Sequence, residues 1–172
     1  MKLLIPTSLI LVLMLVSCAE GESASAVHKI EKGGVTLSIT LPDGWNADLR
    51  EAPPTPEPIE TLLYAAKAGE GELSLYYQAE PTLPITASPW EIRSTLDEFG
   101  DSMEADGMKG LERTQTTLGG YPAELFIVPA TIGGEAKVTH QVTFFAENRM
   151  WTLNCLEQQG AGLCGDVVSS VN

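Results

Sequence analysis

Three glycine pairs, Gly33-Gly34, Gly119-Gly120 and Gly133-Gly134, and the pair Asn148-Arg149 separate segments rich in apolar and polar alternation. A two-residue connection can only reverse a chain, because parallel neighbours need a crossover of about a dozen residues or more. The chain is thereby committed to antiparallel hairpins. In "VTLSITLP", Val35, Leu37, Ile39 and Leu41 alternate with Thr36, Ser38 and Thr40, the period of a strand with one face to core and one to water. Pro42-Asp43-Gly44 then supplies a turn. "EAPPTPEP" (51–58) holds four prolines in eight residues and is predicted as a loop. "ETLLYAAKAG" and "GELSLYYQAE", split by Gly69-Glu70-Gly71, are two further strands. "LERTQTTLGG", "YPAELFIVPA", "EAKVTHQVTFFAEN" and "MWTLNCLE" form a meander.

One helix interrupts this pattern. Ser88-Pro89-Trp90-Glu91 carries a capping residue, a proline at the first helical position and the acid of a capping box. Ile92, Leu96, Phe99 and Met103 follow at helical spacing, and Gly107 or Gly110 is the expected end. The final "GDVVSSVN" predicts one or two helical turns with Asp166 as cap. The expected fold class is α+β: an antiparallel β-sheet with a meander, covered by one main amphipathic helix and a short C-terminal helix. There is no internal repeat and no sign of a second domain.

Before the domain, Lys2 precedes an apolar run from Leu3 to Val16, too short for a membrane span of about 20 residues. Residues 1–17 are the expected signal peptide. Leu15-Val16-Ser17-Cys18 resembles the lipobox of bacterial lipoprotein signal peptides. The resemblance implies that Cys18 is lipidated with acyl chains such as palmitate, and that it heads the mature chain. Ala19, which is not Asp, is compatible by the same resemblance with the periplasmic face of the outer membrane. The alternative is an ordinary secreted protein in which Cys18 is incidental. Residues 18–26 read as the lipidated cysteine and a flexible tether, and 27–172 as a single domain of about 150 residues, enough for a real core.

Removing the leader changes the charge and the cysteine count. The mature part carries nine Lys and Arg against 23 Asp and Glu, a net charge of −14. Such a surface repels phosphate backbones and anionic headgroups, so nucleic acid is excluded as a partner and the membrane is reached through the lipid alone. With Cys18 lipidated, Cys155 and Cys164 remain as a pair in a compartment where disulfides persist. Closing a loop of about ten residues restricts the unfolded chain by roughly 2.5–3 kcal/mol. Gly160, Gly162 and Gly165 give the backbone freedom to close it. Two unpaired structural cysteines are the alternative, since the spacing is not a redox motif.

The opening hairpin ending in "TLPDGW", the helix, "GGYPAELFIVPA" and the aromatic-led final strand are together similar to the PsbP-like and DcrB-like superfamily. Pro42, Gly44, Trp45, Gly120, Ala123 and Trp151 carry the resemblance over residues 27 to 171. It implies an antiparallel sheet covered by helices. It also implies a non-enzymatic binding or assembly factor, such as those attached to membrane complexes. "CLEQQGAGLC" and the very short terminal helix depart from that pattern.

Candidate chemistry is sparse. Gly160, Gly162 and Gly165 match G-x-G-x-x-G, yet a dinucleotide site needs a full helix and a second strand with an acid about 20 residues on. With seven residues after Gly165 the match reads as accidental and no cofactor is expected. His28 and His140 lie on separate strands without a ligand motif, so no metal is expected, and His140 shares a face with Val138, Val142 and Phe144. No nucleophile elbow occurs, and Glu70/Glu72 and Asp97/Glu98 read as solvated charge. No catalytic residue is therefore expected. Trp45 and Trp151 read as core, Trp90 as partly exposed, and Tyr76 and Tyr77 occupy opposite faces, one of them a contact surface. The expectation is a lipid-anchored, non-catalytic envelope protein that binds or assembles another envelope component. The alternatives are an immunity or inhibitor lipoprotein neutralising a basic toxin or hydrolase, and an enzyme with an unrecognised site.

Overall fold

A computed structural model describes residues 26–47, 60–78, 81–84, 86–106 and 110–171. The expected signal peptide 1–17, Cys18 and the proline-rich stretch 51–58 expected to form a loop lie outside the described residues, and the first strand begins at Ala26, the last residue of the expected tether. Strands β1 (Ala26–Lys32) and β2 (Val35–Leu41) form one hairpin. Strands β3 (Asn46–Ala47), β4 (Glu60–Ala68) and β5 (Gly71–Gln78) precede helix α1 (Pro89–Ala105). The meander is β6 (Glu112–Leu118), β7 (Tyr121–Ile132), β8 (Glu135–Ala146) and β9 (Arg149–Gln158), followed by α2 (Leu163–Ser169). Seven strands make one antiparallel sheet in the order β3-β4-β5-β9-β8-β7-β6, so the expected α+β class holds. The β1–β2 hairpin stands apart as a second, two-stranded sheet, which the sequence pattern did not distinguish from the rest.

The hairpin packs on the large sheet through one face of its alternation. Val35, Leu37, Ile39 and Leu41 are buried and pack into one core with Leu73, Leu75, Val142, Phe144, Trp151 and Leu153. Helix α2 closes the same core through Cys164, Val167 and the following Val171. On the opposite sheet face lies α1, whose Leu96 is buried and whose Phe99 meets Phe126 edge-on at 5.7 Å between ring centroids. The seven-stranded sheet is thus the middle layer of three.

The capping box is formed as the sequence predicts: Ser88 Oγ accepts from Glu91 N at 3.3 Å, and Glu91 Oε2 accepts from Ser88 N at 2.7 Å. Those contacts hold the Glu91 carboxyl below its ordinary pKa, the backbone Ser88 donor being the larger cause. Four local expectations are corrected. The C-cap of α1 is Asp106 in right-handed geometry rather than Gly110, and Gly107 lies outside the described residues. The β8–β9 turn is Glu147-Asn148, one residue earlier than Asn148-Arg149, and both residues take positive φ (48° and 57°), the geometry of the tight hairpin turn that matches strand twist. Asp166 lies within α2 and does not cap it; Gly162 is the N-cap. Gly160 and Gly162 take the left-handed conformation, whereas Gly165 lies inside α2.

The two prolines of β7 sit where one side of the strand is unpaired. Pro122 faces Thr117 of β6 beyond the end of the β8 ladder, and Pro129 faces Val138 of β8 beyond the end of β6. Neither position removes a bond from a strand paired on both sides.

Tyr64 yields a prediction. It is 3% exposed, its hydroxyl has no hydrogen-bond partner among the described residues, and burial pushes its phenol up to about 12 from 10.0. A raised folded-state value means stability that is whole below pH 10.0 and is lost as pH climbs towards about 12. Tyr64→Phe removes a buried unsatisfied group, so unfolding free energy at pH 7 is expected to rise by about 1 kcal/mol. Melting temperatures at pH 7 and pH 11 check this; a destabilised variant, or one with an unchanged alkaline loss, contradicts it.

Candidate functional site

Two tight turns meet at one end of the molecule. In the β1–β2 turn, Gly33 and Gly34 both have positive φ (56° and 87°), and a Cβ on Gly34 would stand 3.7 Å from the Glu147 side chain. Glu147 belongs to the β8–β9 turn. Between the turns and the end of β5 is a cavity of about 120 Å³ lined by Lys32, Gly33, Tyr77, Ala146, Glu147, Arg149 and Trp151. Lys32 Nζ lies 5.2 Å and Arg149 Cζ 5.9 Å from the centroid of the Tyr77 ring, both within cation–π range.

The register explains why these side chains converge. Tyr77 is opposite Trp151, which is opposite Phe144. Ring centroids are 5.6 Å apart for Tyr77–Trp151, 5.8 Å for Trp151–Phe144 and 5.9 Å for Phe144–Tyr121, making a row of aromatics across four strands. Trp151 Nε1 donates to Ala146 O at 3.3 Å and fixes the indole beneath the turn. On the turn's other side a second cavity of about 180 Å³ lies between Ile92, Tyr121, Phe145 and the segment around Leu83. That segment is tied to the turn, since Thr82 N and Leu83 N both donate to Asn148 O, at 2.9 and 3.1 Å.

Charge singles out the first cavity. Among the described residues Lys29 pairs with Glu31, Lys67 with Glu72, and Lys137 with Glu70 and Glu135. Glu70 and Glu72, expected to be solvated charge, are exposed as expected and also make surface ion pairs. Arg113 pairs with Asp97, Asp101, Glu104 and Glu124, so Asp97 is likewise more than a solvated face. Lys32, Arg93 and Arg149 have no carboxylate within 4.0 Å among the described residues, although the chain has 23 acids and only ten bases; Arg93 donates to Ala123 O at 3.3 Å, whereas Lys32 and Arg149 converge on one ring. Arg149 spends one donor on Gln78 O at 3.4 Å.

No protein-family model matches the chain, and no curated protein matches it. Among solved structures it is similar to LpqN of Mycobacterium tuberculosis, described as involved in cell envelope biogenesis, at 13% identity and a TM-score of 0.49 over 86% of this chain and 90% of that one. It is also similar to CyanoP, the cyanobacterial PsbP of Synechocystis, at 12% identity and a TM-score of 0.49 over 92% and 98% of the two chains. A Bacteroides thetaiotaomicron protein gives 13% identity and a TM-score of 0.49; 79% of this chain is covered, and it spans 44% of that one. These likenesses are too slight to assign a family or a role.

The residues singled out by sequence are dispersed. Cys155 and Cys164 are joined in a disulfide with Cα atoms 5.6 Å apart, away from the notch. Of the tyrosine pair, Tyr77 lines the notch and Tyr76 faces the other way. Trp90 is 75% exposed, and His28 stands 5.4 Å from Tyr64. No group of three or more His, Cys, Asp or Glu able to hold a metal occurs among the described residues. The glycine motif does follow a strand and open a helix, but the place of a phosphate is taken. Glu157 Oε2 accepts from Leu163 N and Cys164 N at 2.5 and 3.0 Å, while its Oε1 is 3.2 Å from His140 Nε2. The chain's own carboxylate thus occupies the helix N-terminus.

Sequence reasoning missed Lys32, Arg149, Glu157 and Glu124. For the two acids a signal existed: Glu157 is in phase with Trp151, Leu153 and Cys155, and Glu124 with Phe126, so both stand at core positions of alternating strands. An acid in core phase requires a partner from elsewhere. For the two cations no local signal exists.

Proposed function

We propose that this chain is a lipid-anchored, non-catalytic binding or assembly module of the bacterial envelope with a PsbP-like or DcrB-like domain, anchored on the periplasmic face of the outer membrane. The observation that carries the reading is the disulfide. It uses Cys155 and Cys164 and leaves Cys18, the cysteine at the end of the lipobox-like run, for acylation. A disulfide suits an oxidising compartment, and two or more acyl chains hold a protein at a membrane where one does so marginally. Among the described residues no helix is long and apolar enough to span a bilayer. The order of hairpin, helix, meander and short helix supports the domain assignment.

Cys18→Ala is expected to move the protein from the membrane fraction to the soluble periplasmic fraction, read by fractionation and immunoblot. Continued membrane attachment of the variant overturns the anchor. Partner capture separates the two binding readings. Capture that persists as salt rises supports an assembly module, whereas capture of a basic hydrolase that falls steeply with salt favours the inhibitor reading, to which the charge of −14 lends its weight.

A further inference from the structure

We propose that the notch formed by Lys32, Tyr77 and Arg149 is a binding subsite for a single carboxylate group. The proposal deepens the binding-module reading and rests on it, since it names the chemistry by which a partner is held. Two cations share one aromatic ring, and among the described residues neither has a carboxylate within 4.0 Å. The ring and the more distant Glu147 carboxylate offset their mutual repulsion only in part, and an anion entering between them relieves the rest. In a chain with more than twice as many acids as bases, two unpaired cations converging from separate hairpins mark a place where negative charge is to be supplied from outside.

Size and charge then select the anion. A cavity of about 120 Å³ is well below the roughly 300–1,000 Å³ of a whole-ligand pocket, so it takes one small group of a larger molecule. Glu147 lines the same notch, with its carboxyl carbon 3.7 Å from the Cβ position of Gly34. Lys32, Arg149 and Glu147 sum to a single positive charge, which a carboxylate neutralises and a phosphate dianion overshoots. Arg149 brings the planar fork that matches a carboxylate, and the half-buried Tyr77 ring, packed on the buried Trp151, offers apolar surface to the stem that carries it. The carboxylate could belong to a free acid or to the C-terminus of a partner chain.

The test uses the ¹⁵N-labelled full chain, purified from membranes in detergent micelles, titrated at pH 7 with acetate, acetyl-trialanine, its C-terminal amide and inorganic phosphate. Saturable shifts of the Gly33 and Glu147 amides are expected with acetyl-trialanine, and about ten-fold weaker binding of the amide and of phosphate. Acetate binding as tightly as the peptide assigns the site to free acids; acetate binding more weakly assigns it to a chain terminus; either result supports the subsite. Lys32→Met and Arg149→Met are each expected to weaken acetyl-trialanine about ten-fold, and Glu147→Gln to raise phosphate affinity towards that of the carboxylate. Equal binding of acid and amide, shifts scattered away from the two turns, or Lys32→Met and Arg149→Met variants that bind like wild type overturn the proposal. Membrane attachment through Cys18 is read separately, so its failure and the failure of the subsite are distinguishable.

Discussion

Arg113→Met is expected to lower the free energy of unfolding by about 3–5 kcal/mol, the loss that follows when one partner of a buried ion pair is removed. Arg113 Nε donates to Glu124 Oε1 at 2.5 Å, and Glu124 is 1% exposed. The remaining donors reach Asp101 Oδ1 at 2.7 Å and the Asp97 carbonyl at 3.1 Å, tying α1 to β6 and β7. The Glu124 bond, followed by that to Asp101, holds the guanidinium pKa above its ordinary value. Without the arginine, Glu124 is left as a buried charge whose second oxygen already lacks a partner among the described residues. Replacing both, Arg113→Met with Glu124→Leu, is expected to recover most of the loss, because a packed apolar pair is often as good as a buried ionic one. Gly100→Ala attacks the same bond sterically: a Cβ there would lie 2.2 Å from Arg113 Cζ and 2.4 Å from Nε. Urea unfolding at pH 7 checks all three. A loss below about 1 kcal/mol for Arg113→Met would falsify the view that this pair fastens helix to sheet.

What was legible in the sequence was what neighbours in the chain decide. Ser88 and Glu91 are three residues apart and complete their box without help from the sheet. Gly33-Gly34, Gly119-Gly120 and Gly133-Gly134 mark turns because positive φ is a local demand. Glu147-Asn148 meets that demand without glycine, which is why the turn was placed one residue late. The contacts that could not be read are those made across the chain. Lys32, Tyr77 and Arg149 come from three hairpins, and which hairpin tips touch is set by the packing of β1–β2 on the large sheet. The fate of Glu157 depends on α2 folding back over β9. That Tyr76 and Tyr77 face opposite sides of β5 was legible, but that Tyr77, in phase with the buried Leu73 and Leu75, lies beside two cations depends on hairpins distant in sequence.

Reduction of Cys155–Cys164 is expected to cost about 2.5–3 kcal/mol, a fall in melting temperature of roughly 5–12 °C for a domain of this size. The bond closes nine residues of sequence separation and joins the last sheet strand to α2. Its loss leaves Glu157, which still accepts from Leu163 N and Cys164 N, as the remaining tie at that helix end. Helix α2 in turn holds the β1–β2 hairpin, since Val167 and Val171 pack against the β2 residues and Ser170 Oγ donates to Thr40 O at 2.8 Å. The loosening should therefore pass to the hairpin before it reaches the seven-stranded sheet. Hydrogen exchange of the reduced full chain is expected to accelerate first at the amides of α2 and β2, while β8 and β9 keep their protection. Lys32 sits at the end of that hairpin, so reduction should also blunt carboxylate binding at the notch, although the two cysteines touch none of its residues. Uniform acceleration across both sheets, or a reduced protein as stable as the oxidised one, would show that the disulfide is not what pins α2 and the hairpin to the core.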